Sequence, residues 1–238
     1  MNRISKIIHF NGIKFYNEPF INILRKLLFR GGYLVAPAAS SLSEIYKKKK
    51  YHNSLVFSDV AIFDSGFFCI LLRLFKGLKV KKLSGYLFLK LLLDLKNVKS
   101  KKFYLINPNL YEDKKNFNLL RLKNIFNQRS YISPKYNLSN YYDYKLINEI
   151  NKFNPDFIII NLGGGIQEPL GRFIKLKLKN KKTVILCTGA AISFITKVQA
   201  PINNFFDKYY LGWLIRLAHK PKNFFPRVIL SLNLIKYF

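Results

Sequence analysis

The chain has 238 residues, of which 41 are lysine or arginine and 12 are aspartate or glutamate, so its formal net charge at pH 7 is +29. Half of the residues are nonetheless hydrophobic and 16% are aromatic. This excludes an intrinsically disordered chain, because such chains combine high charge with low hydrophobicity. The length predicts one large domain, or one domain with an appendage. The charge indicates an anionic partner, and composition leaves nucleic acid, lipid and an activated small molecule open.

The first half of the chain alternates predicted strands and helices unevenly. Apolar runs and helical spacing predict, in chain order, a strand at residues 33–35, a helix at 41–49, a strand at 60–63 and helices at 67–75 and 86–95. The longest unbroken apolar run, at residues 67–72, is far shorter than the ~20 residues that cross a bilayer. The chain is therefore expected not to span a membrane, although it can lie on one.

The second half repeats this alternation more regularly. Strands are predicted at residues 103–106, 131–133, 157–160 and 184–186, and amphipathic helices at 116–126 and 144–153. The run from Phe157 to Ile160 is continuously apolar, as is typical of a parallel strand that is buried on both faces. The pattern predicts an α/β fold with a Rossmann-like parallel sheet flanked by helices, which binds ligands at the carboxyl ends of its strands.

The last part of the chain breaks the pattern. From Lys208 to Phe238 it is rich in basic and aromatic residues and contains no acidic one. Pro221 is predicted to separate two short helices, since proline fits a first turn and breaks a helix interior. Such a segment is typical of an element that lies on anionic lipid. The alternative is a helix pair whose aromatic residues pack on the core. We predict an α/β core at residues 1–203 and a basic helical appendage at residues 204–238.

Three places concentrate residues that can do chemistry, and each follows a predicted strand. Asp64, followed by Ser65 and Gly66, has a carboxylate placed for general-base work, and the alternative is that Asp64 caps the next helix. Three glycines at 163–165 precede a helix whose N–H groups could meet a phosphate, and the alternative is a tight turn without a ligand. Small residues also occupy positions 188–191.

Metal-ligand patterns are missing from the sequence. It has no Asp-x-Asp triplet, no zinc spacing among its three histidines, and two cysteines, Cys69 and Cys187, in separate apolar runs. We predict no metal, and both thiols are expected to be buried and structural, in a reducing cytoplasm. A bound diphosphate would therefore be neutralised by lysine and arginine.

With these motifs the chain resembles the WecG/TagA/CpsF bacterial glycosyltransferases, glycosyltransferase family 26, over nearly its whole length. The most specific stretch runs from Gly189 to Arg227, where the order and spacing of several short motifs follow the family. Three further elements resemble family motifs: the strand ending in Asp64, the segment from Lys82 to Gly85, and the glycine loop ending in Gln167 and Glu168.

The resemblance implies an inverting, metal-independent enzyme without a cofactor, cytoplasmic and peripheral on the inner face of the cytoplasmic membrane. It would move a sugar, of N-acetylhexosamine type or a related hexose, from a UDP-sugar to an undecaprenyl-diphosphate-linked saccharide in cell-surface polysaccharide synthesis. It assigns the general base to Asp64. It assigns substrate binding to Lys82, Gly163, Gly164, Gln167, Arg216, Lys222 and Arg227. No nucleic-acid partner is expected, since no RNP-like motif is present. A homo-oligomer is an open alternative.

The chain departs from the family's pattern at several polar positions. The family's Thr-Pro-Asn-x-Asp after its first strand is Ala-Pro-Ala-Ala-Ser at residues 36–40, which places alanine at Ala36 and Ala38. Two family aspartates are replaced by Leu87 and Ser193, and a Gly-Gly pair is Asn-Pro at residues 107–108. These departures leave two alternatives: an enzyme with a changed donor, or a catalytically degenerate member that binds a membrane or partner proteins.

Overall fold

The computed structural model describes residues 6–198 and 221–238. Its centre is one eight-stranded sheet. The strands are β1 (Ile7–Phe10), β2 (Ile13–Tyr16), β3 (Gly32–Val35), β4 (Val60–Ala61), β5 (Phe103–Asn107), β6 (Gln128–Ile132), β7 (Phe157–Ile160) and β8 (Val184–Cys187).

Helices connect most of these strands. They are α1 (Phe20–Arg30), α2 (Ala39–Leu42), α3 (Lys49–Val56), α4 (Gly66–Lys76), α5 (Gly85–Asp94), α6 (Leu110–Leu122), α7 (Tyr144–Phe153), α8 (Gln167–Lys177), α9 (Ala191–Ile195) and α10 (Pro221–Leu232). Two 3-10 helices are present as well, at Lys96–Val98 and Asn233–Tyr237.

The strand order is β1-β2-β4-β3-β8-β7-β5-β6. β1 and β2 form an antiparallel hairpin, and every other neighbouring pair is parallel. The predicted α/β fold with a mostly parallel sheet flanked by helices is therefore confirmed. Because the strands from β2 to β6 run in one direction, the loops that follow them meet at a single edge of the sheet. We call this the carboxyl edge.

Both faces of the sheet are covered by apolar side chains. Along β7, Phe157 and Ile159 belong to one hydrophobic cluster, whereas Ile158 and Ile160 belong to the other. This alternation follows from the two-residue period of a strand. It explains why the segment reads as an unbroken apolar run, since neither face of a central parallel strand meets water.

Several predicted elements shift in the structure. The predicted helix at 41–49 is wrong, because this part of the chain forms two short helices, α2 and α3, with turns between them. If one helix ran through this segment, the spacing of buried Leu42 and Ile45 would place Lys49 and His52 on its buried face. The next buried side chains, Tyr51 among them, instead lie in a different helical phase. The predicted helix at 116–126 begins earlier, at Leu110, since the Asn109 side chain caps it. The predicted strand at 131–133 lies earlier as β6, an edge strand that starts with polar residues, and β4 is shorter than predicted. The hairpin and α1 were not predicted.

The C-terminal part of the chain packs on the core. α10 lies against α2, and Pro221 is in its first turn, as proline prefers. After α10, Leu234 is fully buried, the Tyr237 hydroxyl donates to the Ser43 carbonyl at 2.8 Å, and the Phe238 ring lies 5.1 Å from that of Phe10. The predicted boundary between core and appendage, at residues 203 and 204, lies outside the described residues. Within the two described ranges, no helix is long and apolar enough to cross a bilayer.

Candidate active site

The carboxyl edge brings together loops that are distant in sequence. A β-carbon added to Gly85, the first residue of α5, would lie 3.1 Å from Thr188 Cβ and 3.3 Å from Ala36 Cβ. Ala36 follows β3 and Thr188 follows β8, so α5 begins directly over the ends of these two central strands. A side chain at this position would require Thr188 or Ala36 to shift by a few tenths of an ångström.

Ile62 directly follows β4, and Asp64 lies two residues further along the chain, at the carboxyl edge. Asp64 is half-buried. Its Oδ1 accepts a hydrogen bond from the backbone N–H of Gly85 at 2.8 Å. The alternative that Asp64 caps the following helix is wrong, because the N-cap of α4 is Ser65, whose hydroxyl oxygen accepts from the N–H of Phe68 at 3.3 Å. The Asp64 carboxylate is thus held by the start of α5 and is partly exposed.

Lys82 lies on the same side of this edge. Burial raises the pKa of the Cys69 thiol to about 12, the charge of Lys82 lowers it and the charge of Asp64 raises it. Both charged groups therefore lie within electrostatic range of one buried thiol. Cys69 and Cys187 are both buried free thiols, as predicted.

The glycine loop, Gly163 to Gly165, follows β7 at the carboxyl edge. Gly163 and Gly164 are exposed, and a β-carbon on Gly163 would meet nothing within 4 Å among the described atoms. On Gly164 it would lie 3.2 Å from Ser41 Oγ of α2. Gly165 has a φ of +93°, which side chains of L-residues rarely adopt. The loop is thus an exposed turn with uncovered backbone, lying beside α2.

Behind the glycine loop, Gln167 and Glu168 form a buried hydrogen-bond network. Gln167 Oε1 accepts from the N–H of Gly189 at 2.8 Å, and its Nε2 donates to Glu168 Oε1 at 3.0 Å. Glu168 Oε2 accepts from the N–H of Gly165 at 2.7 Å. The predicted substrate ligand Gln167 is thus 2% exposed and joins the loops after β7 and β8. Glu168 was not predicted as a site residue, although the Gln-Glu pair after the glycines was noted.

Two of the predicted substrate-binding cations lie on α10. Lys222 and Arg227 are both exposed, and the Arg227 guanidinium lies 5.3 Å from the Phe224 ring centroid. The helix that carries both cations packs on α2, and Ser41 of α2 lies beside Gly164. Arg216 lies outside the described residues.

Positions that depart from the family pattern are filled by internal contacts. Asn107, at the end of β5, is fully buried, and its Oδ1 accepts from Asn116 at 2.8 Å and from Asn161 at 2.7 Å. The Ser193 hydroxyl donates to Glu112 Oε2 at 2.8 Å. Ala36 is buried against the start of α5, and Leu87 packs beside one hydrophobic cluster.

The carboxyl edge shows neither a metal-binding cluster nor the cleft found elsewhere among the described residues. The described part of the chain contains no group of three or more His, Cys, Asp or Glu side chains that could hold a metal ion. A cleft of about 260 Å³ lies at the opposite edge, lined in part by Pro155 and Thr183, which precede β7 and β8. It is therefore remote from Asp64 and from the glycine loop.

Comparison with known proteins shows the family of the chain. The family model for glycosyl transferases of the WecG/TagA/CpsF family matches residues 8–237, which is nearly all of the chain. A comparison with curated proteins finds no match. The matched range includes Asp64, the glycine loop and α10. The chain belongs to the WecG/TagA/CpsF family of glycosyl transferases.

Proposed function

We propose that this protein is an inverting, metal-independent glycosyltransferase. In this proposal it moves a sugar from a UDP-sugar to a polyprenyl-diphosphate-linked saccharide during synthesis of a cell-surface polysaccharide. The observation that carries the proposal is the position of Asp64. It is a half-buried carboxylate held by the N–H of Gly85 at the carboxyl edge, in a chain of a glycosyl transferase family.

Asp64 is the general base in this mechanism. Its carboxylate takes the proton of the acceptor hydroxyl, whose oxygen forms a bond to the anomeric carbon of the donor sugar. The bond from that carbon to the UDP oxygen breaks, and its electron pair leaves with UDP. Attack from the face opposite the leaving group inverts the anomeric carbon. The hydrogen bond from the N–H of Gly85 orients the carboxylate at the carboxyl edge.

The negative charge that develops on the leaving UDP is stabilised by cations and backbone N–H groups in our proposal. Lys82 lies near Asp64, and the exposed Gly163 and Gly164 precede α8, whose N-terminus carries a partial positive charge. Lys222 and Arg227 of α10 supply further positive charge, as Arg216 is expected to do. Positioned cations can serve this purpose without a metal.

The surface of α10 supports attachment to a membrane on its inner, cytoplasmic face. Phe225, Ile229 and Leu232 are each more than half exposed and follow the i, i+4, i+7 spacing of one helix face. Lys222 and Arg227 are exposed on the same helix. An apolar helix face with flanking cations is typical of an element that lies on anionic lipid. A lipid-linked acceptor would reach the enzyme at this surface.

The experiment is a transfer assay with the purified protein, a panel of UDP-sugars and a polyprenyl-diphosphate-linked saccharide, measured as UDP release and product mass. We expect the Asp64→Asn variant to lower kcat by about 10²- to 10⁴-fold, the range that general bases contribute. Undiminished turnover in this variant would overturn the assignment of the base.

A matched control is Asp59→Asn, at the other end of β4. Asp59 makes an ion pair with Lys175 and is remote from the carboxyl edge. We expect this variant to keep its turnover within a few-fold of the unmodified protein. UDP-sugar binding without any transfer to any acceptor would instead support the catalytically degenerate member, to which Ala38 points, since it is an N-cap of α2 without a capping side chain.

A further inference from the structure

Glu168 is an unusual residue in this fold, because it is a carboxylic acid that is 1% exposed and has no cation among its described partners. Buried carboxylates are normally paired with a cation or kept neutral. Here the interactions that favour the charged form are hydrogen bonds: from the N–H of Gly165, from its own N–H and from the Gln167 side chain. Burial of an acid in this place costs stability, and a role in the site would account for its presence.

The two carboxylate oxygens of Glu168 hold two different groups. Oε2 accepts from the N–H of Gly165 at 2.7 Å, and Oε1 accepts from Gln167 Nε2 at 3.0 Å. The first contact fixes the glycine that has a φ of +93°. The second contact fixes the orientation of the Gln167 carboxamide, because Nε2 must face Glu168 in order to donate to it. Gln167 Oε1 then points the other way and accepts from the N–H of Gly189.

One carboxylate thereby links the loops that follow two neighbouring strands. β7 and β8 pair in parallel, and the Gly165 and Gly189 loops follow them at the carboxyl edge. The Cys187 thiol adds a contact to this unit by donating to the Gln167 carbonyl at 3.4 Å. A β-carbon on Gly171 would lie only 2.5 Å from Cys187 Sγ, so α8 is packed tightly onto β8.

We propose that Glu168 is a positioning residue: its carboxylate sets the conformation of the glycine loop and, through Gln167, locks that loop to the turn after β8. This inference rests on the proposed function only for its effect on the reaction. Its effect on the loop itself is independent of any substrate. In the enzyme, the loop so held presents its exposed N–H groups to the donor diphosphate.

Glu168 is expected to change charge near neutral pH, whereas the titratable groups that face it are not. Electrostatic contacts link it to Tyr33 of β3, Tyr51 of α3 and Cys187 of β8, and burial raises the pKa of each of these groups well above its ordinary value. All three are therefore uncharged at pH 7. Burial raises the pKa of Glu168 itself to about 7, against an ordinary value of 4.5.

Protonation removes part of the hold on the loop. A neutral carboxyl group carries one proton as a donor and accepts more weakly, so one of the two contacts to Gly165 and Gln167 is lost or weakened. The loop is thus expected to be fixed above pH 7 and looser below it. The affinity for the sugar donor is likewise expected to be higher above pH 7 and lower below it.

The experiment uses the full chain labelled with ¹⁵N and follows the amide signals of Gly165 and Gly189 by NMR from pH 5 to pH 8.5. We expect the Gly165 amide shift to titrate with a midpoint near pH 7, and this titration to disappear in Glu168→Gln. In Glu168→Ala, which leaves both groups without their acceptor, we expect faster amide exchange at both glycines. A matched control is Glu149→Gln on α7, whose carboxylate accepts from the Tyr104 hydroxyl; it should leave both signals unchanged.

Binding and kinetics complete the test. We expect Glu168→Gln to weaken UDP affinity, measured by calorimetry, and to raise the KM for the donor by about tenfold, with a smaller change in kcat. A Gly165 signal that neither titrates nor responds to Glu168→Gln would overturn the inference, even if the enzyme transfers sugar. A Gly165 signal that responds in a protein without transferase activity would support the inference and contradict the proposed function.

Discussion

β4 has an aspartate near each of its ends, and the two carboxylates have different surroundings. Asp59, at the amino end, accepts from the N–H of Tyr33 at 2.8 Å and from the Lys175 ammonium at 2.6 Å. Asp64, at the carboxyl end, accepts from the N–H of Gly85 within a group of loops that carry glycines and Lys82. The amino edge uses its carboxylate to join a helix to the sheet. The carboxyl edge uses its carboxylate to hold the buried start of α5, and Asp64 stays partly exposed.

The largest expected effect separates the two aspartates by activity and by stability. Asp64→Asn should reduce turnover by about 10²- to 10⁴-fold and leave the free energy of unfolding nearly unchanged, since asparagine still accepts from Gly85. Asp59→Asn should do the opposite and lower the free energy of unfolding by about 1 kcal/mol through the lost ion pair. Urea unfolding of both variants beside the transfer assay measures this. Equal losses of activity in both would erase the contrast between the two edges.

The pH dependence of stability gives the next effect, again at the carboxyl edge. Because the pKa of Glu168 is about 7 in the folded protein and 4.5 ordinarily, the folded state binds this proton more tightly than the unfolded state does. The free energy of unfolding should therefore fall as the pH rises from about 4.5 to about 7, by about 3 kcal/mol, and should not change further above that range. Denaturant unfolding at several pH values should show a larger fall in the unmodified protein than in the Glu168→Gln variant. Parallel curves for the two proteins would contradict it.

Two glycines, one in the glycine loop and one at the end of α4, give a smaller contrast. Gly165 and Gly77 both have positive φ, and a β-carbon on either would meet nothing within 4 Å among the described atoms. Alanine at either place should cost about 1 kcal/mol of stability, because the backbone is strained rather than crowded. Gly165→Ala should also weaken UDP binding, whereas Gly77→Ala, at the end of α4, should not. Calorimetry with UDP on both variants measures the difference, and equal affinities would show that the loop's backbone does not contact the donor.

The smallest expected effect concerns the surface of α10. Ile229→Ser should reduce sedimentation with anionic phosphatidylglycerol vesicles by a few-fold, since it removes part of an exposed apolar face. Leu122→Ser is the matched control, because Leu122 on α6 is 82% exposed and should leave vesicle binding unchanged. Removing the whole segment is a poorer test, since Leu234 and Phe238 are part of the core. Equal binding of both variants would contradict a lipid contact through α10.

Much of the fold could be predicted because central parallel strands leave a strong signal. The apolar runs at β5, β7 and β8 arise from burial on both faces, and Asp64 and the glycines follow such strands directly. The hairpin of β1 and β2 also had a signal, since the Asn-Gly pair at 11–12, with φ of 48° and 78°, is typical of a tight hairpin turn. The signal is weak, because each strand of the hairpin spans only four residues.

The network behind the site could not be predicted, because its contacts depend on strand neighbours. The bond from Gly189 to Gln167 joins residues 22 positions apart, and it requires β7 and β8 to be adjacent. The sequence assigned Gln167 to substrate binding by its family motif, whereas the structure shows its carboxamide bonded to Gly189 and Glu168. Helix boundaries were missed where a single cap, such as Asn109, determined them.

The contact between the two ends of the described chain has a consequence for synthesis in the cell. The Tyr237 hydroxyl reaches a carbonyl 194 positions earlier, and Phe238 packs against Phe10 of the first strand and Phe68 of α4. A ribosome releases the early segments long before these aromatic residues emerge. The faces of Phe10 and Phe68 that Phe238 covers therefore stay uncovered until residue 238 has left the ribosome.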